Sequence, residues 1–244
     1  MIIGVSGDSG AGKSSLVDFF SNLWKKDFLV IEGDSYHKWE RNDEHWNDFT
    51  ALNPNANNLD KLAEDLQLLR NGFPIVIRNY NHSNGKFDDP QTLYPKTNIL
   101  LVGLHSLYTQ DIRDQEDIKI FLNTDENLRL FWKLKRDVSQ RGYSESQVLD
   151  AIQKRFVDSE QFIKPQINFA DIIINIFDTN IQKDFKDYSY VPNLSIILLI
   201  NKTFKYVDKV LHILKNTAFR VEEDEKFIRA VFSETICNFK DFSI

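Results

Sequence analysis

Eight residues near the start of the chain narrow the choice of fold more than any other feature. Gly7-Asp8-Ser9-Gly10-Ala11-Gly12-Lys13-Ser14 satisfies the pattern G-x-x-x-x-G-K-[ST]. Ile2, Ile3 and Val5 precede it, apolar and β-branched, as a buried parallel strand requires. From Ser14 onward, Leu16, Val17, Phe19, Phe20, Leu23 and Trp24 recur at helical spacing. A strand, a glycine-rich bend and a helix in this order form an anion cradle. Phosphate oxygens need backbone N–H groups at close range, and glycines leave that approach open. The helix start adds its positive dipole end. The expected nucleotide-binding set is Gly7, Asp8, Ser9, Gly10, Ala11, Gly12, Lys13, Ser14 and Ser15. In such a loop Lys13 reaches the β- and γ-phosphates of ATP, and the Ser14 hydroxyl meets Mg²⁺.

The apolar runs continue the alternation of strand and helix. Residues 28–31 read as a second strand, so the start of the chain predicts a βαβ unit with a right-handed crossover. Leu59, Leu62, Ala63, Leu66 and Leu69 form a helical stripe that closes at Asn71-Gly72. Residues 74–77 read as a strand, and Ser83-Asn84-Gly85 marks a hairpin within 80–87. Further strands are expected at 99–102, 118–122 and 170–176. Helices are expected at 127–136 and 145–156, the second with Val148, Leu149, Ile152 and Phe156 on one face. Residues 184–192 look like a connector. Beyond it come a strand at 194–200, a helix near 204–214, and strands near 219 and 227–232. The predicted class is α/β, a P-loop NTPase-type mostly parallel sheet flanked by helices with a small C-terminal α/β extension. The expected domains are 1–180 and 181–244.

Composition excludes some roles. Of 244 residues, 30 are Lys or Arg and 36 are Asp or Glu, a formal net charge of -6. That balance argues against nucleic acid as a partner. The run 196–200 is far shorter than the ~20 apolar residues of a membrane helix. Cys237 is the only cysteine, so an internal disulfide and a multi-cysteine zinc site are excluded. Its expected role is inert packing. A reducing, cytoplasmic setting follows.

Several later segments resemble the phosphoribulokinase and uridine kinase family, nearer the phosphoribulokinase branch. Gly33-Asp34-Ser35-Tyr36-His37-Lys38-Trp39-Glu40-Arg41 is similar to that branch's acceptor segment. Leu52-Asn53-Pro54-Asn55-Ala56-Asn57-Asn58 resembles its L-D-P-x-A-N stretch, and Tyr80-Asn81-His82-Ser83-Asn84-Gly85 its Y-N-H-x-T-G. Gly103-Leu104-His105 matches G-L-H, and Lys133 to Asp137 with Arg141-Gly142 matches K-x-x-R-D-x-x-x-R-G. Phe162-Ile163-Lys164-Pro165-Gln166 and Ala170-Asp171 continue the likeness.

The resemblance implies ATP-dependent phosphorylation, with Mg²⁺, of a hydroxyl on a small sugar or sugar-phosphate acceptor. It implies Asp34 as the base, with Asp34 and Ser14 at the metal and Lys13 and Arg136 in the catalytic set. His37, Arg41, Tyr80, His82, Lys133 and Arg141 are implied for the acceptor, the last two on a lid with Arg136. It also implies a homo-oligomer. Phosphoryl transfer needs positioning and charge stabilisation, which these residue types supply.

Plainer readings of the same residues stand beside these. Asp34 would serve as a helix cap, His37 and His82 as surface histidines, and 133–141 as a solvated helix face. Tyr36 and Trp39 read as packing residues. One departure matters: Val102 stands where the family usually carries a carboxylate that helps organise Mg²⁺, with Glu32 or Asp8 as substitutes. That departure keeps a catalytically weakened nucleotide-binding protein open as an alternative, and a uridine or other nucleoside kinase on the same scaffold is a further one.

Overall fold

The computed structural model describes residues 1–24, 27–139, 141–178 and 188–232. Cys237 and residues 184–187 of the expected connector lie outside them. The strands are β1 (Ile2–Gly7), β2 (Phe28–Glu32), β3 (Ile75–Ile77), β4 (Tyr80–Asn81), β5 (Lys86–Phe87), β6 (Gln91–Leu93), β7 (Asn98–Val102), β8 (Ile118–Thr124), β9 (Ile172–Asp178), β10 (Leu194–Asn201), β11 (Arg220–Glu223) and β12 (Phe227–Phe232). The helices are α1 (Lys13–Trp24), α2 (Leu59–Arg70), α3 (Gln110–Arg113), α4 (Glu126–Ser139), α5 (Glu145–Asp158) and α6 (Val207–Thr217).

One eight-stranded sheet runs in the order β11-β12-β10-β9-β8-β1-β7-β2. From β2 to β9 its pairings are parallel. β10, β12 and β11 then add antiparallel to the same sheet. The change of direction falls between β9 and β10.

Two strand pairings depart from the order of the chain. β1 and β2 are not neighbours, because β7 lies between them and pairs with both. The β1–α1–β2 crossover therefore skips a position, which a later strand fills. The strand expected at 74–77 forms as β3 and pairs with β6 in a separate two-stranded ribbon.

Alternation along the strands feeds two apolar layers. Leu100 packs with Ile3, Val5, Leu16 and Phe20 on the α1 side. Leu101 packs with Ile2, Ile31, Leu62, Leu66 and Leu69 on the α2 side. Leu66 is fully buried, so Leu66→Ala would cost about 2–5 kcal/mol. Leu214 of α6 packs with Ile200, Phe204 and Ile228 over the antiparallel end. The stripe expected on α5 is not a core stripe: Val148 is buried, but Leu149 and Phe156 are exposed. This helix borders the phosphate loop, with Ile152, Arg155 and Phe156 lining a pocket shared with Asp8 and Ser9. No described helix is long and apolar enough to cross a membrane.

Candidate active site

The carboxyl ends of β1, β7 and β2 lie side by side along one edge, where open α/β sheets bind ligands. Gly7, Val102 and Glu32 end these strands. The bends that follow β2 and β7 press together at Gly33 and Gly103. A Cβ built on either would sit 3.1 Å from the other's Cα.

In the phosphate loop, Gly10 and Gly12 have φ of 88° and 94°, a region that other residues rarely adopt. Thr124 Oγ1 donates to the Ala11 carbonyl at 2.8 Å and fixes the bend against β8. Lys13 Nζ lies inside the loop and donates to the Gly7 and Asp8 carbonyls at 2.7 and 2.9 Å. Burial lowers the Lys13 ammonium to about 8, against the opposing charges of Asp34 and Asp8. Ser14 and Ser15 are exposed at the start of α1.

Asp8 ties the loop to both ends of the α4–α5 hairpin. Its Oδ2 accepts from Ser159 Oγ at 2.5 Å and lies 3.5 Å from Arg129 Nη1. Arg129 also donates to the Ser9 carbonyl at 3.2 Å. Lys133 Nζ reaches Ser9 Oγ at 3.3 Å, so the structure places Lys133 with the phosphate loop.

Asp34 sits in the 3-10 turn Gly33–Tyr36. It does not cap α2, which starts at Leu59. His82 Nε2 lies 2.9 Å from Asp34 Oδ2, and His37 Nε2 lies 3.6 Å from Oδ1. Burial pushes the Asp34 carboxyl up, but the His82 hydrogen bond and the charges of His37, His82 and Lys13 outweigh it. The net effect holds the carboxyl well below the usual carboxylate range. His37 is buried, and its Nδ1 shares a 2.7 Å hydrogen bond with Asn57 Oδ1. Asn57 in turn donates to the Ala51 and Asn53 carbonyls at 3.2 and 2.9 Å. With the carbonyl oxygen of Asn57 as acceptor, His37 carries its proton on Nδ1. It is therefore not a loose surface histidine.

The β4–β5 hairpin supplies the facing wall. Tyr80 is buried, and its hydroxyl has no hydrogen-bond partner. Its ring stacks on Trp46 at 5.9 Å and meets His37 and His82 edge-on. Arg41 is strapped to the hairpin: its N–H donates to the Gly85 carbonyl at 2.8 Å and Nη2 to the His82 carbonyl at 2.7 Å. Tyr36 and Trp39 pack as expected. Tyr36 OH donates to Asp65 at 3.0 Å, and Trp39 stacks on Phe49.

The segment 133–141 is not a solvated face. Asp137 binds Lys133 Nζ at 3.0 Å, Arg136 Nε at 2.8 Å and Arg141 Nη1 at 3.3 Å. Lys133 and Asp137 are buried; the two arginines are about a third exposed. Arg136 bears electrostatically on Lys13, and Arg141 is influenced by Asp34.

Val102 is half-buried and stands in register with Glu32 on the adjacent strand. Among the described residues no three His, Cys, Asp or Glu cluster as a metal site. Ser14 and Asp34 offer hard oxygen donors, the chemistry Mg²⁺ takes when phosphate oxygens complete its shell.

Sequence reasoning assigned no role to Asp137, Asn57, Trp46 or Ser159. Asp137 had a signal, an acid among four basic residues within 133–141. Ser159 had none, since its partner lies far away along the chain.

The model of the phosphoribulokinase/uridine kinase family matches residues 2–182. Phosphoribulokinase from Synechocystis sp. is 35% identical over 185 residues, covering 75% of this chain and 56% of that protein. The chloroplastic phosphoribulokinase of Arabidopsis thaliana is 28% identical over 228 residues, 86% of this chain and 57% of the relative. Uridine kinase from Chlamydia pneumoniae is 32% identical over 192 residues, 72% of this chain and 81% of the relative. The chain thus spans just over half the length of these phosphoribulokinases. The solved phosphoribulokinase from Rhodobacter spheroides superposes with a TM-score of 0.73 at 21% identity, covering 94% of this chain and 89% of that one. It shares the fold.

Proposed function

This chain belongs to the phosphoribulokinase/uridine kinase family, and from that premise we propose an ATP-dependent phosphotransferase acting on a hydroxyl of a sugar phosphate, ribulose 5-phosphate or a related pentose. One observation carries the reading: Lys13, held inside the phosphate loop that follows β1, and Asp34, in the turn that follows β2, stand at the same carboxyl edge of one parallel sheet.

The chemistry follows from that arrangement. The acceptor hydroxyl hydrogen-bonds to the ionised Asp34. As its oxygen bonds to the γ-phosphorus and the bond to the ADP oxygen breaks, its proton passes to Asp34. A carboxylate held well below neutrality is a weak base, so the transfer is late, and orientation of the hydroxyl is its larger contribution. His82 holds one carboxylate oxygen in place, and His37 stands 3.6 Å from the other. Lys13, Lys133 and Arg136 offset charge on the transferring phosphoryl group. Arg41 and Arg141 are suited to an anionic group on the acceptor. Mg²⁺, when bound, would be held by Ser14 and Asp34 with the nucleotide, and would neutralise phosphate charge.

The Trp46–Tyr80 stack is the feature that favours a nucleoside acceptor instead. An ADP-release screen over sugar phosphates, free sugars and uridine decides between them. Stimulation by a pentose phosphate and not by uridine is expected. ATP binding without turnover on any acceptor would leave a nucleotide-binding protein. The same reading carries a cytoplasmic setting and a homo-oligomer, the latter checked by light scattering.

A further inference from the structure

The bend after β7 carries two polar side chains that the proposed chemistry leaves unused. His105 is 5% exposed and Ser106 is 1% exposed. His105 Nδ1 and Ser106 Oγ are both buried without a hydrogen-bond partner. Polar atoms in a protein interior are nearly always paired, so two orphans in adjacent residues call for an occupant. Both residues line one small cavity together with Asp34 and His37. Its volume, near 10 Å³, suits one water-sized group.

The protonation pattern says which group fits. Burial lowers the His105 imidazole to about 4, so it is neutral at pH 7. Its Nε2 faces the Ala51 carbonyl at 3.3 Å and carries the proton there. Nδ1 is therefore a bare acceptor, while Ser106 Oγ both donates and accepts. A hydroxyl completes this pair, donating to Nδ1 and accepting from Oγ. A carbonyl or phosphate oxygen serves only the serine, and an ammonium gives the serine proton no acceptor.

The bend is held rigid. Gln166 Nε2 donates to the Leu104 carbonyl at 2.8 Å, and its Oε1 accepts from Leu107 N at 3.0 Å and Ser6 Oγ at 2.9 Å. His105 and Ser106 are thus fixed from both flanks, which lowers the ordering cost of binding. We propose that His105 and Ser106 form a hydroxyl subsite that holds a second hydroxyl of the acceptor, beside the one Asp34 deprotonates. This rests on the kinase reading and deepens it, selecting polyhydroxy acceptors over simple alcohols.

The test pairs variants with acceptors. The best pentose phosphate from the screen is compared with its monodeoxy analogues in wild type, Ser106→Ala and His105→Phe. Nucleotide affinity is measured by calorimetry, and folding by thermal melting. In wild type one monodeoxy analogue should show a KM about 10-fold above the parent, the effect of one lost hydrogen bond. In Ser106→Ala the parent's KM should rise about 10-fold while that analogue's penalty shrinks to about 2-fold or less. His105→Phe should shrink it likewise, with nucleotide affinity retained. If both folded variants keep the full deoxy penalty, the cavity holds only water and the subsite is refuted. If wild type phosphorylates no acceptor, the kinase reading itself fails, and the subsite with it. Should Ser106→Ala melt early, His105→Phe and the wild-type deoxy series still decide.

Discussion

His82 Nε2 and Asp34 Oδ2 meet at 2.9 Å, so the proposed base has a hydrogen-bonded partner on the opposite wall of the cleft. That contact and the neighbouring positive charges hold the carboxyl down. Removing it favours the protonated acid, so the Asp34 pKa must rise. Because Asp34 works ionised, His82→Asn should move the acid limb of kcat/KM to higher pH. Asp34→Asn should lower kcat by ~10²-fold or more. An acid limb that stays in place in His82→Asn would show that the histidine does not tune this carboxylate.

Lys13 loses its proton at about pH 8 in the free protein. A neutral amine attracts phosphates far less than an ammonium. ATP affinity, measured by calorimetry from pH 6.5 to 9.5, should therefore fall above pH 8. Lys13→Met should be weak throughout and lack that pH dependence.

Asp137 is the shared counter-charge of Lys133, Arg136 and Arg141. Asp137→Asn should destabilise the fold by on the order of 3 kcal/mol, mostly through the buried lysine, since the arginines are partly screened. Burial raises the Asp137 carboxyl, but its hydrogen bonds and cations lower it on balance below the ordinary 3.8. Its contribution is then complete above that value and fades as pH falls through the depressed one. Urea denaturation of both proteins should show a wide gap at pH 7 that closes in strong acid.

Glu116 has the opposite sign. Its carboxyl is buried over Gly4, and neither oxygen has a hydrogen-bond partner. Burial raises its pKa well above 4.5. Above 4.5 the unfolded chain ionises and the folded one does not, so wild type loses stability as pH rises toward the folded value. Glu116→Gln should remove that slope, gaining up to about 1.4 kcal/mol per pH unit relative to wild type in that window. Parallel stability curves from pH 5 to 8 would show that Glu116 ionises freely.

The first layer of this architecture was legible because its signals are local. The glycine bend, the apolar positions of α1 and α2, and the turn at Ser83-Asn84-Gly85 are set by spacing within a few residues. Pairing across distance was not legible. No local pattern shows that β7 enters between β1 and β2, or that β6 finds β3. On α5 the helical period was correct, but period alone does not say which faces are covered. In the cleft, Asp34, His37, Tyr80 and His82 come together from separate segments, and a motif could propose each one. The Ser159–Asp8 bond, the Asn57 brace on His37 and the orphaned Ser106 hydroxyl arise only once remote segments meet.

The close approach of Gly33 and Gly103 has a consequence for how this protein can vary. A methyl group on either would sit 3.1 Å from the other's alpha carbon, so one of the two turns would have to give by a few tenths of an ångström. A substitution at either position would press the turn bearing Asp34 slightly away from the loop bearing Ser106. Randomising both codons together and selecting for turnover should return glycine at both, even where every other position in the two turns tolerates change.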